Sequence, residues 1–193
     1  VNPWLLGLIA AVHIPVFLPP RQPFSKFLFS DRSVCAAILS YAEALQLSGT
    51  LQSPYRTRSG WLRDYLRSRP RGVGYLSLIW TYQLFGMRAN AFHVVDLGIH
   101  LANVTLAYGV LNNYTEHAVW IALLWGLHPV AVYTPLFVSA RFGLLCAFFM
   151  LASVYLLQEG FLLQAAVAGM LAFRTKEDAV VLPLWWGLVW RML

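Results

Sequence analysis

Residues Phe92–Leu111 read FHVVDLGIHLANVTLAYGVL. The stretch is apolar and about as long as the roughly 20 residues that cross a bilayer as a helix. It nevertheless carries His93, Asp96, His100 and Asn103, spaced i, i+3, i+7 and i+10. At about 100° per residue, these four fall within roughly an 80° arc of one helix face. A polar stripe is costly in hydrocarbon, roughly 2.5–3.5 kcal/mol for a central Asp alone. It must therefore face a bundle interior, a water-filled cavity or a partner chain.

The composition around this stretch is of the same kind. Of 193 residues, 59% are hydrophobic and only 11% charged, and mean hydropathy is +0.61. Soluble domains have about 45–50% apolar and about 25% charged residues. The expected fold is all-α, a polytopic transmembrane bundle of about six spans, forming one membrane domain over residues 1–193. Eight Trp and nine Tyr suit interfacial belts. Cys35 and Cys146 are isolated and suggest neither a disulfide framework nor a zinc site. Val1–Leu18 lacks a basic leader and an A-x-A-like cleavage site, so it reads as a span.

Spans are expected at Pro3–Leu18, Phe92–Leu111, His117–Tyr133, Val138–Leu157, Phe161–Phe173 and Ala179–Met192. Between the first two runs the long connection Pro19–Gly72. It holds nine of the fourteen basic residues, with an amphipathic helix expected at Val34–Leu47. Val73–Phe85 is apolar but short for a span, and reads as a re-entrant or interfacial helix. If it does not cross, parity puts the long loop, the His128–Arg141 region and the Arg174–Asp178 turn on one side. Nearly every charge then lies on a single face. The positive-inside rule makes that face cytoplasmic, although long loops weaken the rule.

Four short patterns open onto that face. They are FLFSDR ending at Arg32; Arg69-Pro70 followed by FH at 92–93 and IHLAN at 99–103; LHPV at 127–130 with SARFGLL at 139–145; and TKED at 175–178. In this order they resemble the GT-C class of polyprenyl-phosphate-sugar glycosyltransferases. The likeness is to the membrane module of the tetratricopeptide-bearing O-mannosyltransferases and their bacterial relatives, and it covers about residues 28–183. Several family positions are replaced. Arg32 stands for the second loop Asp, Asp96 for the Asn after Phe-His, Tyr133 for the Glu after His-Pro-Val, and Gly143 for the Asp after Ser-Gly-Arg. The expectation is a truncated module with thinned acidic chemistry.

The resemblance implies Asp31 as general base on an acceptor hydroxyl. It also implies Arg69, Arg141 and Lys176 as ligands of a lipid-linked phosphate. A polyprenyl-phosphate sugar, and possible use of a divalent metal, go with the active form. The resemblance places the chain in a bacterial inner membrane, or in the endoplasmic reticulum membrane of a eukaryote. The residues themselves keep plainer readings open. Asp31 suits a helix N-cap. The basic residues suit anionic lipid headgroups. The stripe can be a metal site, a support beside a catalytic loop, or hydrogen-bonding glue between helices. No further His, Asp or Glu stands at clear metal spacing, so no metal ligands are assigned. His128 before Pro129 reads as a structural turn, and Glu177 as an acid at the start of the last helix. The loop arginines do not alternate with aromatics, so nucleic acid is not an expected partner. Two functions remain: a glycosyltransferase, or a non-catalytic subunit bound to other membrane protein subunits.

Overall fold

The structure is a computed structural model. It describes residues 71–86 and 88–192, with Gly7 and Ala11 before them. Seven α-helices are defined in this part: α1 Gly72–Phe85, α2 Ala89–Asn112, α3 Ala118–Leu127, α4 Pro129–Tyr133, α5 Arg141–Gln158, α6 Leu162–Phe173 and α7 Leu182–Met192. Three 3₁₀ turns join them, at Thr134–Leu136, Val138–Ala140 and Glu177–Val181. No strand occurs among the described residues, so the all-α expectation holds there. The expected span Pro3–Leu18, the helix Val34–Leu47, Asp31, Arg69 and Cys35 lie outside the described residues.

Two helices are long and apolar enough to cross a bilayer, Ala89–Asn112 and Val138–Gln158. Two shorter apolar helices, Ala118–Leu127 and Leu162–Phe173, accompany them. The described part therefore has two full-length candidates, not the five spans expected over it. The largest difference is at His117–Tyr133, expected as one span. It breaks after ten residues, which at 1.5 Å per residue is about 15 Å of helix. Pro129 forces His128 into extended backbone, with ψ 134°. The His128 ring Nδ1 then accepts from the Val130 amide at 3.3 Å and restarts the chain as α4. Proline at the first helical position needs no donor. The last expected span likewise begins as a 3₁₀ turn before α7. The first helix, α1, has 14 residues, too short to span a bilayer.

Helices α2 and α5 run parallel. Their bonded pairs ascend together: Asp96 with Arg141, Asn103 with Leu144, and Val110 with Gln158. The intervening α3 and the following α6 return in the opposite sense. The bundle thus has an Arg141 end and a Gln158 end. At the Arg141 end the Val73 amide donates to Arg174 O at 3.2 Å, tying the start of α1 to the turn after α6. This gathers Arg71, the 134–141 region and the 174–178 turn at one end.

Small residues set the packing. Ala165 and Ala172 of α6 are buried beside Cys146, Met150, Val154 and Leu157 of α5, and Ala168 between them is buried too. Without large side chains, helix backbones approach closely. Gly126 does the same for α3 against α2, since a Cβ there would lie 2.7 Å from a Val104 methyl. Gly160, at φ 82°, ends α5. The Phe161 amide reaches back to Leu156 O and the Gly160 amide to Leu157 O, a Schellman ending that favours glycine. On the outside, Trp80, Trp120, Leu124, Leu163, Met170, Leu188 and Trp190 are exposed.

Candidate functional site

All four stripe residues are buried, with Asp96 fully enclosed. Each reaches another part of the bundle. His93 Nδ1 lies 3.3 Å from Pro135 O. His100 Nε2 lies 3.1 Å from Gly126 O. Asn103 Nδ2 donates to Leu144 O at 2.9 Å. A carbonyl only accepts, so each histidine carries its proton on the named nitrogen. The stripe therefore joins α2 to the end of α3, to the 3₁₀ turn and to α5. This is the bonding expected of glue between helices.

Asp96 meets Arg141. Arg141 Nε donates to Asp96 Oδ1 at 2.5 Å, and neither side chain is exposed. Nη1 donates to Thr81 Oγ1 and Nη2 to Phe92 O, both at 2.8 Å. The guanidinium carbon also stands 5.2 Å from the centre of the Phe92 ring, within the range of a cation–π contact. One buried cation thus fastens α1, α2 and α5. Two buried charges are tolerable only when paired and hydrogen-bonded in this way. The resemblance implies a phosphate-binding role for Arg141, whose guanidinium is here enclosed by protein and bonded to Asp96, Thr81 and Phe92 O.

Sequence reasoning did not single out Thr81 or Ser77. Thr81 is the α1 group that completes the guanidinium shell, and Arg141 Nη1 also approaches Ser77 O. A signal was present: two hydroxyls four residues apart in an otherwise apolar helix share one face. Ser153 was also missed. It donates to Ala165 O at 2.7 Å and accepts from Trp186 Nε1 at 3.1 Å, linking α5, α6 and α7.

Lys176 and Glu177 sit apart from this node, on the turn between α6 and α7. Arg71 Nε donates to Glu177 Oε2 at 3.0 Å, and the second guanidinium arm also pairs with that carboxylate. The bond from Arg71 holds the Glu177 carboxyl well down, to about 2. Lys176 pairs with Asp178. Arg141 and Lys176 therefore have separate partners and share no ligand. Glu177 and Asp178 do lie in the first turn of the 3₁₀ helix that leads into α7.

A cavity of about 380 Å³ opens beside the stripe, lined by His100, Asn103, Trp125, His128, Thr134 and Gly143 among others. Asn103 Oδ1 is buried with no hydrogen-bond partner among the described residues, so an acceptor remains on this wall. His128 Nδ1 caps α4, which leaves Nε2 as its other ring nitrogen. Among the described residues, no group of three or more His, Cys, Asp or Glu is placed to hold a metal ion. Compared with known proteins, the sequence matches no family model, no curated protein and no solved structure.

Proposed function

We propose that this chain is a membrane-embedded helical module of the GT-C type, whose residues 89–141 hold helices together instead of transferring a sugar. The observation that carries this reading is the buried Asp96–Arg141 pair. Arg141, which an enzyme of this type would turn toward a lipid-linked phosphate, is instead bonded to Asp96, Thr81 and Phe92 O. A cation enclosed in this way presents no surface to a substrate. The two long apolar helices and the exposed Trp, Leu and Met side chains support the membrane setting. The role that fits is a structural subunit of a larger membrane complex, with anionic lipids against the charged end.

The enzyme reading keeps one specific support, the order of the sequence motifs with Asp31 at the base position. The two readings separate in one experiment. The protein is purified in mild detergent and supplied with a polyprenyl-phosphate sugar and candidate acceptors. Under the subunit reading, no transfer occurs, Asp31→Asn behaves as the parent protein, and a membrane partner co-purifies in fixed ratio. Transfer that is lost in Asp31→Asn, with the protein still folded, would restore the glycosyltransferase.

A further inference from the structure

The Gln158 end holds a second cavity, of about 500 Å³, away from the motif residues. Its lining comes from α2 and the turn after it (Thr105, Tyr108, Asn112 and Asn113 among them), and from Tyr155 and Glu159 at the end of α5. Because α2 and α5 are parallel, both of their C-termini meet here. The N-termini of α3 and α6 begin at this same end, so the helix dipoles largely offset one another, and the Glu159 carboxylate is the charge on the lining. Among the described residues, no Lys or Arg lines the cavity. The adjoining turns, 112–117 and 158–161, contain Glu116 and Glu159 and no Lys or Arg either.

Two tyrosines supply aromatic walls. Tyr108 and Tyr155 are both partly buried, one from each helix. Ring faces attract cations, most effectively when water is partly excluded. The walls are held in place by Gln158. Its Nε2 donates to Val110 O at 3.3 Å and its Oε1 accepts from Asn113 Nδ2 at 3.2 Å, clamping the two helix ends together. Asn112 and Asn113 add amide oxygens to the rim. A small metal ion gains little from aromatic walls in so wide a space. An alkylated or primary ammonium group uses both the rings and the carboxylate.

We propose that this cavity is a binding site for an organic ammonium group, as carried by a choline or ethanolamine lipid headgroup or by a free amine. Glu159 provides the counter-charge, and Tyr108 and Tyr155 provide the ring contacts. The lipid source rests on reading α2 and α5 as spans, which would put their ends at headgroup depth. The free-amine source does not.

The test uses the full chain in maltoside micelles. Tetramethylammonium chloride is titrated against sodium chloride at matched ionic strength, with binding read by saturation-transfer NMR on the methyl signal. In parallel, native mass spectrometry compares retention of phosphatidylcholine, phosphatidylethanolamine and phosphatidylglycerol. The expected result is saturable ammonium binding, or selective retention of the choline or ethanolamine lipid. Each should weaken about tenfold or more in Glu159→Gln and in Tyr155→Leu. Glu116→Gln, which removes an acid outside the cavity lining, should match the parent. Selective lipid retention without a soluble response assigns the headgroup, and the reverse assigns a free amine. Absence of both, equal retention of phosphatidylglycerol, or undiminished binding by a folded Glu159→Gln would overturn the site.

Discussion

Arg141 Nε and Asp96 Oδ1 stand 2.5 Å apart with both side chains fully enclosed. The pair joins the start of one long apolar helix to the middle of the other. Thr81, bonded to the same guanidinium, extends the joint to α1. Removing one member leaves the other buried without a counter-charge.

Asp96→Ala should therefore destabilise the protein by about 3–5 kcal/mol. Arg141→Met should do comparable damage. The double variant Asp96→Leu with Arg141→Met should recover much of the loss, because no charge is then left buried. Unfolding in mixed detergent and dodecyl sulfate micelles measures all three. If the two single losses simply add in the double variant, the ion pair is not what fastens these helices.

Gly126→Ala tests the contact between α2 and α3. The new methyl would lie within 2.7 Å of a Val104 methyl. Overpacking of this kind costs about 1–3 kcal/mol. It should also lengthen the bond from His100 to Gly126 O, visible as a shift of the His100 ring resonances. A variant as stable as the parent, with unshifted resonances, would show that the helices separate at no cost.

His128→Ala should remove the acceptor that caps α4, at about 0.5–2 kcal/mol. Asn and Asp are strong capping residues, so His128→Asn should recover most of that stability. Thermal unfolding in detergent distinguishes the two. Equal loss in both variants would mean that the ring matters through packing in the neighbouring cavity and not through its bond to the Val130 amide.

The junction between α1 and the turn after α6 should depend on acidity. The hydrogen bond from Arg71 lowers the Glu177 carboxyl from about 4.5 to about 2. A depressed carboxyl contributes its stabilisation fully above its ordinary value. That contribution fades as pH falls below 4.5 and is gone once pH passes below about 2. Hydrogen exchange at the Val73 amide, which donates to Arg174 O, should accelerate across that window beyond the intrinsic chemistry. Glu177→Gln should flatten the dependence. A pH response unchanged in Glu177→Gln would place the acid sensitivity elsewhere.

The helical class and the inward face of the stripe were legible in the sequence, because both depend on local quantities. Apolar run length decides whether a helix can be long. The 100° turn per residue decides that His93, Asp96, His100 and Asn103 share a side. Hydrocarbon then admits no outward orientation for them. The break at His128-Pro129 was half legible. The residues marked a turn, but the apolar character of the flanking segments hid that the helix ends there. What the stripe bonds to was a matter of tertiary structure. Asp96 and Arg141 are 45 residues apart in the chain, and only the parallel packing of α2 and α5 brings them together. That packing withdraws Arg141 from any surface ligand and leaves Lys176 on a different turn with its own acid. The same parallel arrangement stacks two helix C-termini beside Glu159. A spacing rule along one helix cannot see this, since the cavity there is built from two.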